Sequence, residues 1–204
     1  MHARVAAFEN QNPSFVDELI GRVRSQVETG EPPPGAKGLL MLIDRESKKG
    51  LGISFFESEQ AIRDAEPAFE RMGEDVPEEM RGKRASVETY EVVINEGGEG
   101  AKAARVSVLE GSPDRLDEGT QNAKEEILPQ VRQLDGFKGV VSLVDRERGR
   151  TKLITLWESD SALRASEEQA NQLRQRAAEG AAGHIVGVER YEVGVVRLAE
   201  VEVG

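Results

Sequence analysis

Gly35-Ala36-Lys37-Gly38-Leu39-Leu40-Met41-Leu42-Ile43-Asp44-Arg45-Glu46 returns 101 residues later as Gly136-Phe137-Lys138-Gly139-Val140-Val141-Ser142-Leu143-Val144-Asp145-Arg146-Glu147. In both places a glycine and a lysine lead into a short apolar run that stops at the same charged turn. A run of this length bounded by turn residues reads as a buried strand. Working outward at the same offset, Ala3-Arg4-Val5 meets Ala104-Arg105-Val106 and Phe56-Glu57-Ser58 meets Trp157-Glu158-Ser159. Ala61, Arg63 and Glu66 meet Ala162, Arg164 and Glu167, and Val87-Glu88-Thr89-Tyr90-Glu91-Val92 meets Val188-Glu189-Arg190-Tyr191-Glu192-Val193. Residues 3 to 93 give 24 identical pairs without a gap, far beyond chance for this composition. Two complete units of this length indicate a duplicated domain, whereas a solenoid stacks several shorter repeats.

Each copy carries the same succession of elements. Residues 3 to 9 alternate as a strand. After Asn12-Pro13-Ser14, the residues Phe15, Val16, Leu19, Ile20, Val23 and Val27 recur at helical spacing. Pro32-Pro33-Pro34-Gly35 ends that helix, and Leu39 to Ile43 and Ile53 to Phe56 read as a hairpin. Ser58 is a suitable N-cap for a second helix striped by Ala61, Ile62, Ala65, Phe69 and Met72, and a strand follows at 85 to 94. The order βαββαβ is the ferredoxin-like, split βαβ arrangement. The predicted fold class is therefore α+β: two ferredoxin-like modules whose antiparallel sheets pair face to face as an intramolecular α+β barrel. The predicted organisation is copy one over 1–95, a linker over 96–103 and copy two over 104–204, with glycine-rich Asn95 to Gly100 as a flexible tether. Pro129, inside the first helix of copy two, predicts a kink or a break.

Composition narrows the function classes. With 38 acidic and 27 basic side chains the net charge is -11, which repels nucleic-acid phosphates and anionic lipid. There is no cysteine, which excludes disulfides, thiolate nucleophiles and thiolate metal sites and fits a cytoplasmic setting. No apolar run approaches the roughly 20 residues of a membrane span. The acidic pairs Glu78-Glu79 and Glu125-Glu126 lack the companions of a transition-metal site and read as solvated helix faces, so neither metal nor cofactor is expected.

A ferredoxin-like sheet carries helices on one face only, which leaves the other free for a partner sheet and a ligand. Strand alternation assigns Ala3, Val5, Ile53 and Phe55 to the helix side. The open face then receives Arg4, Ala6 and Phe8, Gly52, Ser54 and Phe56, with Met41. In copy two it receives Arg105, Ser107, Leu109, Ser142, Leu153, Thr155, Trp157, Arg190 and Glu192. Two readings of its charges follow. Either Arg4 with Glu91 and Arg105 with Glu192 are cross-strand ion pairs that hold register, or they orient a polar group of a ligand between the aromatic walls Phe56 and Trp157. The predicted substrate-binding set is thus Trp157, Phe56, Arg105, Arg4, Arg190 and Glu192. His184, ahead of the last strand of copy two, is the predicted catalytic residue because a histidine titrates near neutrality. His2 lies at a terminus where fraying is expected. Trp157, Arg190 and His184 occur only in copy two, which points to a site in the C-terminal half.

The βαββαβ order, Gly136-Phe137-Lys138-Gly139 ahead of the hairpin and Leu156-Trp157-Glu158-Ser159 ahead of a helix resemble the antibiotic biosynthesis monooxygenase group of the dimeric α+β barrel superfamily. The resemblance spans both copies. It implies a two-module barrel and, among the activities of that group, cofactor-independent oxidation of polycyclic phenols or degradation of haem. Members acting on haem use a histidine on or just after the second helix; Ser166 and Ala65 stand there. Two functions are carried forward: oxidation of a small aromatic compound, in which Trp157, Phe56 and Arg105 bind an anionic, oxygen-reactive form, or a non-catalytic barrel that binds a small apolar ligand or serves as a scaffold. A tandem chain can close its barrel as a monomer, and a homodimer of such barrels is equally compatible with the sequence.

Overall fold

The computed structural model describes residues 1–198. The first half of the chain forms β1 (His2–Glu9), α1 (Val16–Thr29), β2 (Ala36–Asp44), β3 (Lys49–Phe56), α2 (Glu59–Asp75), the single turn α3 (Glu78–Arg81) and β4 (Lys83–Gly97). The second half repeats the order with β5 (Ala103–Glu110), α4 (Leu116–Asn122), α5 (Leu128–Val131), β6 (Phe137–Asp145), β7 (Arg150–Trp157), α6 (Asp160–Ala165), α7 (Glu167–Gly180) and β8 (His184–Arg197). Hydrogen-bonded strand neighbours run β1-β3-β2-β8-β5-β7-β6-β4 in a closed barrel order. The chain divides into two compact units. The first holds Met1–Tyr90 and the end of β8 from Val193; the second holds Glu91–Glu192.

That division differs from the expected one. Its first boundary falls inside β4, between Tyr90 and Glu91, and not at residue 95. The expected tether is also built in: Asn95, Glu96 and Gly97 pair with Val141, Val140 and Gly139 of β6. Only Gly98 to Lys102 connects the strands, and Gly98 N–H donates to Lys138 O while Lys102 N–H donates to Trp157 O. Gly97 sits at φ +67°, where a Cβ would lie 2.4 Å from Lys138 O, so glycine serves close backbone approach here and not flexibility.

The side chains shared by the two copies do matching structural work. Ser58 and Ser159 cap the second helices, each accepting from the N–H three residues on at 3.1 Å. Asp44 and Asp145 accept turn N–H groups of their hairpins. Arg45 and Arg146 reach back to Asp17 and Asp117 on the first helices, both at 2.7 Å. Gly35 and Gly136 lie at φ +75° and +78°, where an added Cβ would come within 2.8 Å of Ala61 Cβ and 2.5 Å of Ala162 Cβ, which explains why both members of each pair recur.

The first helices differ. Pro129 lacks the N–H of a regular turn, and the helix accommodates it with a π-helical stretch over Ala123–Ile127 before α5, so the predicted irregularity lies mainly ahead of the proline. Pro67, by contrast, is carried inside an unbroken α2.

Candidate functional site

The predicted facing of the strands is inverted in both units. Met41 and Ile43 of β2 pack with Val16, Leu19 and Ile20 of α1, and Phe56 of β3 packs with Ala61, Ile62 and Ala65 of α2. The register places Arg4 opposite Ser54 and Ala6 opposite Gly52, on the same face as Met41. The set assigned to an open face therefore lies under the helices, and Ala3, Val5, Ile53 and Phe55 lie on the other face, buried as well. The groupings hold and the direction flips. The mixed set belongs under the helices because α2 and α7 supply carboxylates for its arginines.

Arg4 consequently pairs with α2 and not with Glu91. Its Nε and Nη2 donate to Glu66 Oε2 at 2.9 Å and Oε1 at 2.8 Å, a bidentate bridge. Its guanidinium lies 4.2 Å from the Phe69 ring centroid, and Phe56 meets the same ring edge-on at 6.0 Å. The Arg4 hydrogen bond holds the Glu66 carboxyl below the usual range, against the opposing effect of burial. Glu91 accepts instead from Arg146.

Phe69, fixed in this way, forms part of the wall of a cleft of about 350 Å³ between α1, α2 and the sheet of the first unit. Val23, Val27, Leu39 and Met72 supply its apolar lining; Ser54, Lys37 and Arg197 are among its polar groups. Pro32 and Pro33, read from the sequence as a helix stop, also line it. Arg197, from β8, donates to Val27 O at 2.8 Å and so ties that strand to the end of α1. The volume falls in the range of small-molecule sites, and the balance of apolar wall to a few polar groups is that of such sites.

In the second unit Arg105 is 2 % exposed and also points to a helix. Its Nη2 donates to Leu163 O at 2.7 Å, Ser166 Oγ at 3.2 Å and Glu167 Oε2 at 2.9 Å. Arg190 donates to the same Glu167 oxygen at 3.0 Å and Arg174 to the other at 3.2 Å. Burial would raise the Glu167 carboxyl; the Arg190 hydrogen bond, the Arg105 charge and the hydrogen bonds of Arg174 and Arg105 overcome it and hold it at about 2. Trp157 is wholly buried against Ala103 and Leu163, with Phe137 edge-on at 5.9 Å and the Arg105 guanidinium 5.4 Å from its ring. Ala170 and Leu173 stand where the first unit has Phe69 and Met72. A smaller cavity of about 50 Å³ in this unit is lined by Leu109, Thr120, Ser142 and Leu153 among others.

The remaining predicted residues are dispersed. His184 is exposed at the start of β8 opposite Glu110, in the second unit. Glu192 is exposed opposite Ala103. His2 is not frayed: it belongs to β1, opposite Phe56, with Nε2 3.6 Å from Glu59. The cleft residues Val23, Val27, Phe69 and Met72 were visible only as helix stripes, and nothing in the sequence marks them as lining space instead of filling it. Glu66 and Glu167 did carry a signal, since both recur in the repeat alongside their arginines.

Solved structures settle the fold. Over 99 % of this chain and 94 % of the other, it matches an anthrone oxidase-like protein with a TM-score of 0.66 at 17 % identity. The fold is ferredoxin-like. A protein of this fold from Listeria monocytogenes, related to antibiotic biosynthesis monooxygenases, matches with a TM-score of 0.52 at 9 % identity over 94 % of both chains. A monooxygenase-like protein from Listeria innocua matches with a TM-score of 0.53 at 10 % identity over 94 % of this chain and 93 % of the other. In sequence, the chain is 27 % identical to an uncharacterised protein of Mycobacterium tuberculosis over 97 % of its own length and 89 % of the relative's. No family model matches the chain. Among the described residues no helix is long and apolar enough to cross a membrane.

Proposed function

We propose that the chain is a monooxygenase-like protein that takes a small aromatic compound into the cleft of the first unit and oxidises it with dioxygen, without a bound cofactor. The observation that carries this reading is the cleft: about 350 Å³, walled by Phe69, Met72, Val23 and Leu39, with Arg197, Lys37, Glu28 and Glu31 as the charged groups of its lining. A flat ring fits the apolar walls, and a cation favours the ionised form of a phenol or an enolisable ketone, which is the form that reacts with oxygen. Oxidation of a ring CH₂ to a carbonyl balances with one O₂ consumed and one H₂O released, so no outside reductant is needed. Arg4 and Phe56 act here by holding Phe69 from behind. Trp157, Arg105, Arg190, Glu192 and His184 lie in the second unit and take no part in this cleft.

The competing reading, a ligand-binding barrel without catalysis, draws on the cleft's lack of a histidine. Oxygen uptake with anthrone as substrate separates the two. Wild-type protein is expected to consume oxygen in step with anthrone, and Val23→Trp, which fills the cleft, is expected to lower kcat/KM at least tenfold while leaving the melting temperature near that of wild type. Binding of anthrone with no uptake above the buffer rate selects the non-catalytic reading; uptake unaffected by Val23→Trp removes the cleft as the site.

A further inference from the structure

The buried arginines of the second unit carry more positive charge than their surroundings neutralise. Arg105, Arg174 and Arg190 all donate to Glu167, three guanidinium groups on one carboxylate. Arg174 also donates to Asn171 Oδ1 at 3.0 Å, a neutral partner. Arg105 and Arg174 are 2 % and 6 % exposed, yet Arg105 Nε and Nη1 and Arg174 Nε have no hydrogen-bond partner. Unpaired guanidinium N–H groups in a buried place are costly, and each is a directed donor for an oxyanion. The cluster stands where α7, a helix of 14 residues, begins, and no side chain caps that end: the Ser166 hydroxyl donates to Leu163 O instead. The first-turn N–H groups of α7 have no side-chain acceptor there. All this occurs in a chain of net charge -11, so the concentration of positive charge is local.

The first unit supplies an internal comparison. There the matching Arg4 meets Glu66 one to one, and Gly73, Thr89 and Ala65 stand where the second unit has Arg174, Arg190 and Ser166. The common pair is thus structural in both units, and the two further arginines are additions that the fold does not require.

We propose that the second unit binds a small dianionic oxyanion of the phosphate class through Arg105, Arg174 and Arg190 at the start of α7. Two charges in excess match a dianion, and a tetrahedral set of oxygens can accept from several forks at once, whereas a monocarboxylate leaves one charge unmet. Arg190, 44 % exposed, and Glu167, 35 % exposed, form the open side of the cluster, and both can swing toward solvent as the anion enters. The site is separate from the cleft of the first unit and does not depend on the function proposed for it.

Inorganic phosphate is the probe, with thermal unfolding of the full chain followed at constant ionic strength against sodium chloride. The melting temperature is expected to rise with the logarithm of phosphate concentration once the site fills. In the double variant Arg174→Gln, Arg190→Thr, the phosphate concentration needed for a given rise is expected to increase at least tenfold. Glu167→Gln removes the resident carboxylate, so it should lose stability without phosphate and regain it with phosphate, a rescue that a purely structural salt bridge does not give. Equal effects of phosphate and chloride, or an unchanged response in the double variant, would overturn the proposal.

Discussion

At the level of single residues, the molecule is organised by two arginines, Arg4 on β1 and Arg105 on β5, that meet carboxylates on α2 and α7. Glu167 gives this a pH signature. Its folded value is about 2, below an ordinary value of 4.5, so the ionised form is favoured by folding. A lowered carboxyl stabilises fully above its unfolded value and loses that contribution as the pH falls through the folded value. The urea midpoint of wild type should therefore exceed that of Glu167→Gln by a constant amount above about pH 5, and the gap should close between about pH 4.5 and 2. At neutral pH the difference should be about 1–2 kcal/mol, reduced from a buried pair's value by solvent because Glu167 is 35 % exposed. A gap independent of pH would mean that the loss comes from packing and not from charge. The residues of both arginine pairs were legible in the sequence through the repeat; their partnership was not. Arg4 and Glu66 are 62 positions apart, and the choice between Glu66 and Glu91 turns on which sheet face the helices cover, a parity that alternation alone does not fix.

At the level of elements, the sequence carried most of the order and little of the joining. The N-cap serines, the hairpin aspartates and the 3.6-residue stripes are local signals with local causes, and they placed βαββαβ twice. The segment Asn95 to Gly100 was misleading because glycine marks both flexible tethers and places where backbones touch, and composition does not distinguish them. Gly97→Ala is a direct test. In a tether it would cost nothing; at φ +67° with a Cβ 2.4 Å from Lys138 O, it should lower stability by about 1–3 kcal/mol, measured by denaturant unfolding. An unchanged midpoint would return this segment to the role of a linker. Pro129 shows the same limit from the other side: the disturbance was foreseen, but a π-helical turn ahead of the proline depends on how the whole helix seats on its sheet.

At the level of the whole molecule, the far end of the chain matters to its beginning. The last residues of β8 supply Val195 to the core of the first unit and Arg197 to its cleft, so a cleft lined mostly by residues before position 73 is completed by one near 200. The sequence favoured the C-terminal half because Trp157, Arg190 and His184 are peculiar to it. Those residues are real differences, yet the Trp157 ring is wholly buried in core, and the larger cleft lies in the first copy. If an aromatic ligand binds in the cleft of the first unit, titration of isotope-labelled protein with anthrone will move the backbone amide signals of that cleft. The shifts are expected to gather on Val23, Val27, Leu39, Phe69, Met72 and Arg197; shifts centred on Trp157, Arg190 and His184, with the first unit silent, would place the ligand elsewhere.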